Sequence, residues 1–451
     1  MGVTPMNTKS VRNYFSQMTK NQREAVGLLS IGTFLEYFDL MLYVHMAIVL
    51  NELFFPATDP FTASLMTAFA FCSTFLLRPF GALIFGYIGD TVGRKTVVIL
   101  TTMLMAVSSL IVAFLPTYAQ IGITASWVIT ICRMVQSVSA AAEGTGAELY
   151  LTESSKPPMQ YPLVSSVAVF GALGGTAALG IATIAMSEDI FKNSMGMSSW
   201  RLAFLVGAGV ALVGTIARTS LKEADEFSDK KKQLETRLNE NKMTKSDLNE
   251  EFMKQKTSFR TSLAYFLIQC ARPPGFYFVY IYCAELLKNE CGYTLSEIIF
   301  DNFIVSIVDL FGLAAVTFLS YYFAPLKIIK SKLFLFFSTI IFFPLILNNT
   351  SMADKGIWIM IFQCLASVLV FDHVPGSPIF YKYFPVFKRF TYTSLLTAFA
   401  KLATYSIASF GLVYATDIFG YWGIFTIFVP AGIGFYVSVN YFQKLEETQK
   451  N

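Results

Sequence analysis

Gly89-Asp90-Thr91-Val92-Gly93-Arg94-Lys95 is a charged, glycine-bearing turn set between two long apolar runs, 63–88 before it and 96–116 after it. Each run is long enough to cross a bilayer, which takes about 20 apolar residues. A connection this short forces the two helices to lie antiparallel and side by side. Gly89 and Gly93 let the backbone turn without a Cβ penalty. Asp90 can cap the turn and pair with its bases, and Arg94 and Lys95 hold it on the cytoplasmic side.

The rest of the chain has the composition of a membrane protein. Of 451 residues, 54% are hydrophobic and 14% charged, where soluble domains carry about 25% charged residues. A net charge of +4 gives no nucleic-acid footprint. The six cysteines include no C-x-x-C pair and fall mostly inside apolar runs, so they read as small buried hydrophobes. No metal and no cofactor are expected. The polar segment before residue 25 has no cleavable signal pattern, so insertion is expected to begin with the first spanning helix.

Outward from the turn, apolar runs fall at 25–53, 63–88, 96–116, 122–150, 161–186 and 201–221, then at 261–287, 295–323, 333–347, 356–380, 391–415 and 421–442. Between the two sets lies 222–260, rich in Lys, Glu and Asn and without an apolar run. The reading is an all-α integral membrane protein of about twelve transmembrane helices in two six-helix halves, 25–221 and 261–442. A cytoplasmic tail (1–24), linker (222–260) and C-terminal tail (443–451) complete it. With the N-terminus inside, 25 lysines and arginines fall on the cytoplasmic side against 4 outside, which places both termini in the cytoplasm. The second-half counterpart of the opening turn, Phe323-Ala324-Pro325-Leu326-Lys327-Ile328-Ile329-Lys330, keeps bases but lacks the acid and both glycines. It is expected to make a weaker or different clamp.

Ionisable groups inside spanning helices cost at least about 2.5–3.5 kcal/mol each, and usually face a cavity or a partner. In the first run Glu36, Asp39 and Tyr43 share a face at i, i+3, i+7. They form either a pair of structural carboxylates or a proton or cation site, the second favoured because neighbouring like charges raise one pKa. Arg133 lies mid-membrane in the fourth run, followed by Gln136, and the first-helix acids are its natural partners; Glu143 follows among small residues. Those small residues serve close packing or a gap for substrate. Arg78 is expected to snorkel inward and pair near Asp90, in a structural or a gating role. In the second half, Arg272-Pro273-Pro274 should break the seventh helix and free backbone groups to line a cavity. Asp309 and Lys401 are candidates for a buried ion pair. Asp372-His373, beside Pro375-Gly376, is a candidate for protonation-linked movement, or His373 is structural.

Several motifs in order resemble the metabolite:proton symporter family of the major facilitator superfamily. They are Gly86…Gly89-Asp90…Gly93-Arg94-Lys95, Gly32…Glu36-Tyr37-Phe38-Asp39-Leu40, Leu77-Arg78-Pro79-Phe80-Gly81, Leu115-Pro116-Thr117-Tyr118, Arg133…Gln136 with Glu143, Trp200-Arg201, and Phe384-Pro385…Lys388-Arg389. The match is dense from Gly32 to Glu223 and sparse afterwards. This resemblance implies an inner-membrane importer driven by the proton gradient, carrying a small zwitterion or carboxylate such as proline or betaine between Arg133 and the acids. Its partners would be the substrate, protons and the lipid bilayer, and the protein would be a monomer. Ser137 and Ala141-Ala142 stand where that family usually has glycine, and no coiled-coil tail follows, so osmotic regulation is not expected. An organic-acid symporter and a proton-coupled antiporter are the alternatives, the latter disfavoured because Gly171-Ala172-Leu173-Gly174-Gly175 lacks a Gly-Pro pair. A receptor that no longer transports ranks last. No G-x-x-x-x-G-K-[ST] loop occurs, which excludes an ATP-driven pump, and no catalytic constellation points to an enzyme.

Overall fold

The computed structural model describes residues 20–55, 75–186, 199–219 and 257–449. Twelve helical rods run through the described residues. In the first half they are α1 (Lys20–Phe54), α2 (Arg78–Thr91), α3 (Arg94–Phe114), α4 (Ile123–Ser154), α5 (Gln160–Met186) and α6 (Ser199–Arg218). In the second half α7 is a chain of abutting pieces: Phe259–Gln269, Arg272–Tyr277, a π-helical turn Phe278–Tyr282 and Cys283–Cys291. Then follow α8 (Leu295–Leu319), α9 (Pro325–Ile340 continuing as Phe342–Asn349), α10 (Met352–Leu369, resuming as Ser377–Tyr381), α11 (Val386–Phe419) and α12 (Phe425–Thr448). The expected outer part of the second span and nearly all of the 222–260 connection lie outside the described residues, as does most of the N-terminal tail.

Among the described residues the halves meet mainly through α5 against α8 and α2 against α11, with α4 also touching α11 and the Ser377–Tyr381 piece of α10. Inside the first half α1 packs on α5, α4 and α6, and α3 on α4 and α6; inside the second, α7 packs on α11 and α12, and α8 on α10. The rods bury one stripe against each other and turn large apolar side chains outward. Leu83, Val213, Phe311, Phe334 and Ile433 are all exposed. Apolar surface on that scale suits a hydrocarbon solvent and not water. Among the described residues, six stretches are long and apolar enough by themselves to cross a membrane, among them α3 with a mean hydropathy of 2.5. The second-half interior is aromatic: Phe336 meets Phe371 and Phe428 with ring centroids 5.4 and 5.0 Å apart, and Phe278 meets Phe343 at 5.1 Å. These near-perpendicular contacts are the geometry the ring quadrupoles favour.

Helix ends depart from the sequence reading in consistent ways. The α9 helix starts at Pro325, eight residues before the apolar run, because Ala324 is extended and Pro325 supplies the preset φ of a first helical position. The α11 helix likewise begins right after Pro385. The α7 break falls where Arg272-Pro273-Pro274 was expected to put it, at Cys270–Ala271, just upstream of the two prolines.

Candidate functional site: charged centres between and within the halves

The turn between α2 and α3 locks one end of the bundle, here termed the basic face. Gly93 adopts φ +145°, a conformation glycine takes at little cost. Gly89 is not part of the bend. It lies in α2 because a Cβ there would sit 2.0 Å from the Phe390 ring of α11, so only glycine lets the two helices meet. Asp90 accepts from the Phe390 and Thr391 backbone N–H groups at 3.2 and 2.8 Å and from the Thr391 hydroxyl at 2.7 Å. Arg94, fully buried, donates to Asp90 at 3.0 Å, to Gly89 O, to both Glu153 carboxylate oxygens at 3.2 Å, and across to Val386 O at 2.9 Å. Arg389 of α11 donates to the same Glu153 at 3.1 Å. Lys95 lies half-buried beside this clamp. Neither Glu153 nor Arg389 was singled out as a site residue from the sequence. Glu153 sits beyond the apolar run that defined α4, and only the helix's extension to Ser154 brings it in.

A central cavity of about 80 Å³ lies between the halves, lined among others by Thr33, Glu36 and Tyr37 of α1, Arg78 of α2, Glu148 of α4, Arg272 and Pro273 of α7, His373, and Lys401 of α11. That volume holds a few waters. Arg78 does not reach Asp90, as its position suggested. It is buried at the start of α2, donates to Glu36 at 3.3 Å, and lies 4.9 Å from the Phe75 ring centroid. Asp90 is already saturated by its own turn and α11. Glu148 crosses to the second half, accepting from the Tyr381 hydroxyl at 2.7 Å and lying 3.4 Å from His373 Nε2. The Glu143 side chain lies outside the described residues.

Glu36 and Asp39 part company. Three residues along a helix is 300°, so the two side chains diverge by 60°. Glu36 opens on the cavity while Asp39 turns into the first half, toward Leu35, Met105 and Phe204. There Arg133 Nη1 donates to Asp39 at 3.0 Å and to Gln136 at 2.8 Å, and Gln136 Nε2 donates to Asp39 at 2.8 Å and to Ser109 at 3.0 Å. The Arg133 guanidinium lies 3.6 Å from the centroid of the Tyr43 ring, within cation–π range. Arg133 thus finds a first-helix acid, as expected, but it does not line the central cavity. A substrate held between Arg133 and both acids is not what this arrangement offers.

In the second half Asp372 is gripped by two cations, Arg272 of α7 at 3.2 Å and Lys332 of α9 at 3.1 Å. Asp309 of α8 has these same groups as its neighbouring charges. The expected Asp309–Lys401 pair is not formed: Lys401 faces the cavity, with Arg78, Glu36, Arg272 and Glu148 as its charged neighbours. Pro273 and Pro274 are buried beside the break. Lys332 went unnoticed because the sequence places it in a basic loop, whereas the early start of α9 carries it inside.

The opposite end is built differently. A wider vestibule of about 520 Å³ opens there in the second half, lined by Tyr282, Glu285, Glu290, Asn348, Tyr414, Asp417 and Tyr421. At its edge Lys355 donates to Glu290 at 2.8 Å and to Tyr421 at 3.1 Å, and Tyr421 also donates to Glu290. These hydrogen bonds, the one to Glu290 first, push the Lys355 amine up to about 12. Among the described residues, no three of His, Cys, Asp and Glu gather as a metal site.

The sequence signature of the Major Facilitator Superfamily matches residues 29–372. The chain is 30% identical over 213 residues to a proline/betaine transporter of Salmonella typhimurium, 47% of this chain and 42% of that one. It is 33% identical over 211 residues to a putative proline/betaine transporter of Staphylococcus aureus, 47% and 45% of the two chains. The match thus spans less than half the length of these curated relatives. Among solved structures, the proton:xylose symporter XylE superposes with a TM-score of 0.68 at 14% identity, over 93% of this chain and 96% of that one. The transporter FucP in its outward conformation gives 0.64 at 12%, over 92% and 98%.

Proposed function

The chain belongs to the major facilitator superfamily, a multi-pass membrane transporter family, and from that premise we propose that it imports a small zwitterion or carboxylate together with protons. Proline- or betaine-like solutes come first, in keeping with the names of the relatives it matches. The basic face would be cytoplasmic, with both termini on that side of the inner membrane, and the two halves would rock about the central cavity. On this reading the Asp90–Arg94–Glu153–Arg389 clamp would close the cytoplasmic route.

The observation that carries this reading is the Asp39–Arg133 pair. It is one acid against one base, held otherwise, among the described residues, by neutral groups, on the helix whose Glu36 lines the cavity. Protonating Asp39 removes the charge that holds Arg133 to α1 and loosens α1 from α4. The freed guanidinium keeps Gln136 and the Tyr43 ring, so its burial stays partly compensated. A proton taken up at Asp39 before or with substrate would therefore bias the packing of α1, the helix that presents Glu36 to the ligand. The coupling requires only that the two events favour the same packing.

Uptake by proteoliposomes under an imposed inward proton gradient tests this, with labelled proline, betaine, other amino acids and dicarboxylates. Accumulation that collapses with a protonophore is expected. Asp39→Asn should lose accumulation, its internal concentration levelling at the external one, while substrate counterflow persists. An Asp39→Asn protein that still concentrates substrate sinks the assignment of Asp39.

A further inference from the structure

The ion pairs of the central cavity leave one charge over. Glu36 is engaged by Arg78, Glu148 by Tyr381 and His373, and Arg272 by Asp372. Lys401, half-buried on α11, lines the same cavity and makes no hydrogen bond or ion pair among the described residues. Its charged neighbours are two cations and two carboxylates, and both carboxylates are already occupied. An ammonium in a spanning helix is costly unless water or an anion compensates it. Among the described residues of the wall no further carboxylate offers that anion: Phe75 stacks on Tyr405 at 4.1 Å, and Phe276 meets Tyr405 edge-on at 6.0 Å. Counting Arg78, Arg272 and Lys401 against Glu36 and Glu148, the described lining is one cation in excess.

We propose that Lys401 anchors a carboxylate of the transported solute, and that this contact is what the protein requires of a substrate. The proposal rests on the transporter reading and sharpens it. Arg78 and Arg272 keep their protein partners and shape the field around the anchor, and Arg133 stays inside the first half. A carboxylate arrives either on a zwitterion, such as proline or betaine, or on an organic anion, such as a dicarboxylate. Both acids of the cavity being engaged, an ammonium on the ligand is tolerated and not demanded.

The test is binding, measured on the purified full-length protein by scintillation proximity with labelled proline, betaine and succinate. Choline, a quaternary ammonium without a carboxylate, is the control. Wild type is expected to bind at least one of the three carboxylates and not choline. Lys401→Met should weaken that binding about 10- to 100-fold, the scale of a lost hydrogen bond to a charged group, and Lys401→Arg should stay within about threefold, since it keeps the charge. Thermal unfolding of both variants, matched to wild type, shows that the site and not the fold was changed. Which carboxylate binds tells zwitterion from organic anion. Undiminished binding by a folded Lys401→Met protein overturns the proposal. So does a wild type that binds choline, or one that binds none of the carboxylates. Failure of proton coupling would show separately, as uptake indifferent to the proton gradient in a protein whose binding still follows this pattern.

Discussion

Each half of the molecule ties its first helix to its fourth with a buried ion pair, but with the signs exchanged. In the first half the acid is on α1 and the base on α4, Asp39 and Arg133 at 3.0 Å; in the second the base is on α7 and the acid in the break of α10, Arg272 and Asp372 at 3.2 Å. The company each pair keeps differs more than the pairs themselves. Asp39 has Gln136 and Ser109, both neutral, whereas Asp372 has a second cation, Lys332, at 3.1 Å. Neutralising Asp39 strands one guanidinium that keeps an amide oxygen and an aromatic face. Neutralising Asp372 takes the paired acid from two cations at once and leaves them only Asp309 as a neighbouring acid. On the proposed reading the same motif would serve a proton cycle in one half and a fixed strut in the other.

The largest effect should come from testing that asymmetry directly. Asp372→Asn is expected to destabilise the protein by about 3–5 kcal/mol, the cost of leaving buried charge without its partner, and Asp39→Asn by clearly less. Unfolding midpoints of the two variants in one detergent decide the matter. Equal losses, or a larger loss for Asp39→Asn, break the comparison. Lys332→Met in the Asp372→Asn background should recover part of the loss, because it removes one of the two stranded cations.

The sequence made the helices legible but not their rotations. Hydropathy located all twelve rods because lipid exposes one side of nearly every one, and an apolar run of about 20 residues is hard to mistake. Ends failed where charge continued into a helix: Lys332 at the start of α9 and Glu153 at the end of α4 are both neutralised across a helix interface, a fact that needs three dimensions. Pairings failed for the same reason. Spacing placed Glu36 and Asp39 on one face, yet 60° of divergence sends one to the cavity and the other into the first half. Arg78 found Glu36 and not Asp90, and Lys401 found no Asp309, because neither helix rotation nor depth is written in one chain's hydropathy. The opening turn read best in Gly93, Asp90 and Arg94, which act within five residues, whereas Gly89 serves the contact with Phe390 and not the bend.

That turn carries the next comparison between the halves. The α2–α3 turn grips α11, whereas its counterpart, folded into the start of α9, turns inward: Lys330 donates to Asn440, at 2.5 Å, and to Gln443, both on α12 of its own half. Gly89→Ala puts a Cβ 2.0 Å from the Phe390 ring and should force α2 from α11, at a cost of about 1–3 kcal/mol typical of overpacking. Because that cost falls on the clamped arrangement alone, the cavity should open toward the basic face more often. The readout is labelling of Ala140→Cys, a cavity-lining position, in a background without the native cysteines, by a membrane-impermeant maleimide applied from that side. Labelling should quicken by about 5-fold or more, as 1 kcal/mol implies. Lys327→Ala in the second-half turn should leave the rate unchanged. Equal acceleration by both would mean that the clamp is two-sided after all.

The opposite end should be the most forgiving. Among the described residues no ion pair joins the halves there, and the Lys355–Glu290–Tyr421 cluster links only α7, α10 and the turn before α12. Lys355 and Glu290 keep 15% and 26% of their side chains exposed, so water screens the pair, and Lys355→Ala should cost no more than about 1 kcal/mol. The pH dependence has a definite sign. A lysine raised from its ordinary value to about 12 stabilises the fold fully below the unfolded value near 10.4 and loses that contribution only as pH climbs through about 12. Wild type and Lys355→Ala should therefore keep a constant, small gap in unfolding midpoint from neutral pH to about 10, closing only above it. A gap as large as that of Gly89→Ala would make this end a second lock, and the contrast between a sealed basic face and a lightly held opposite one would have to be given up.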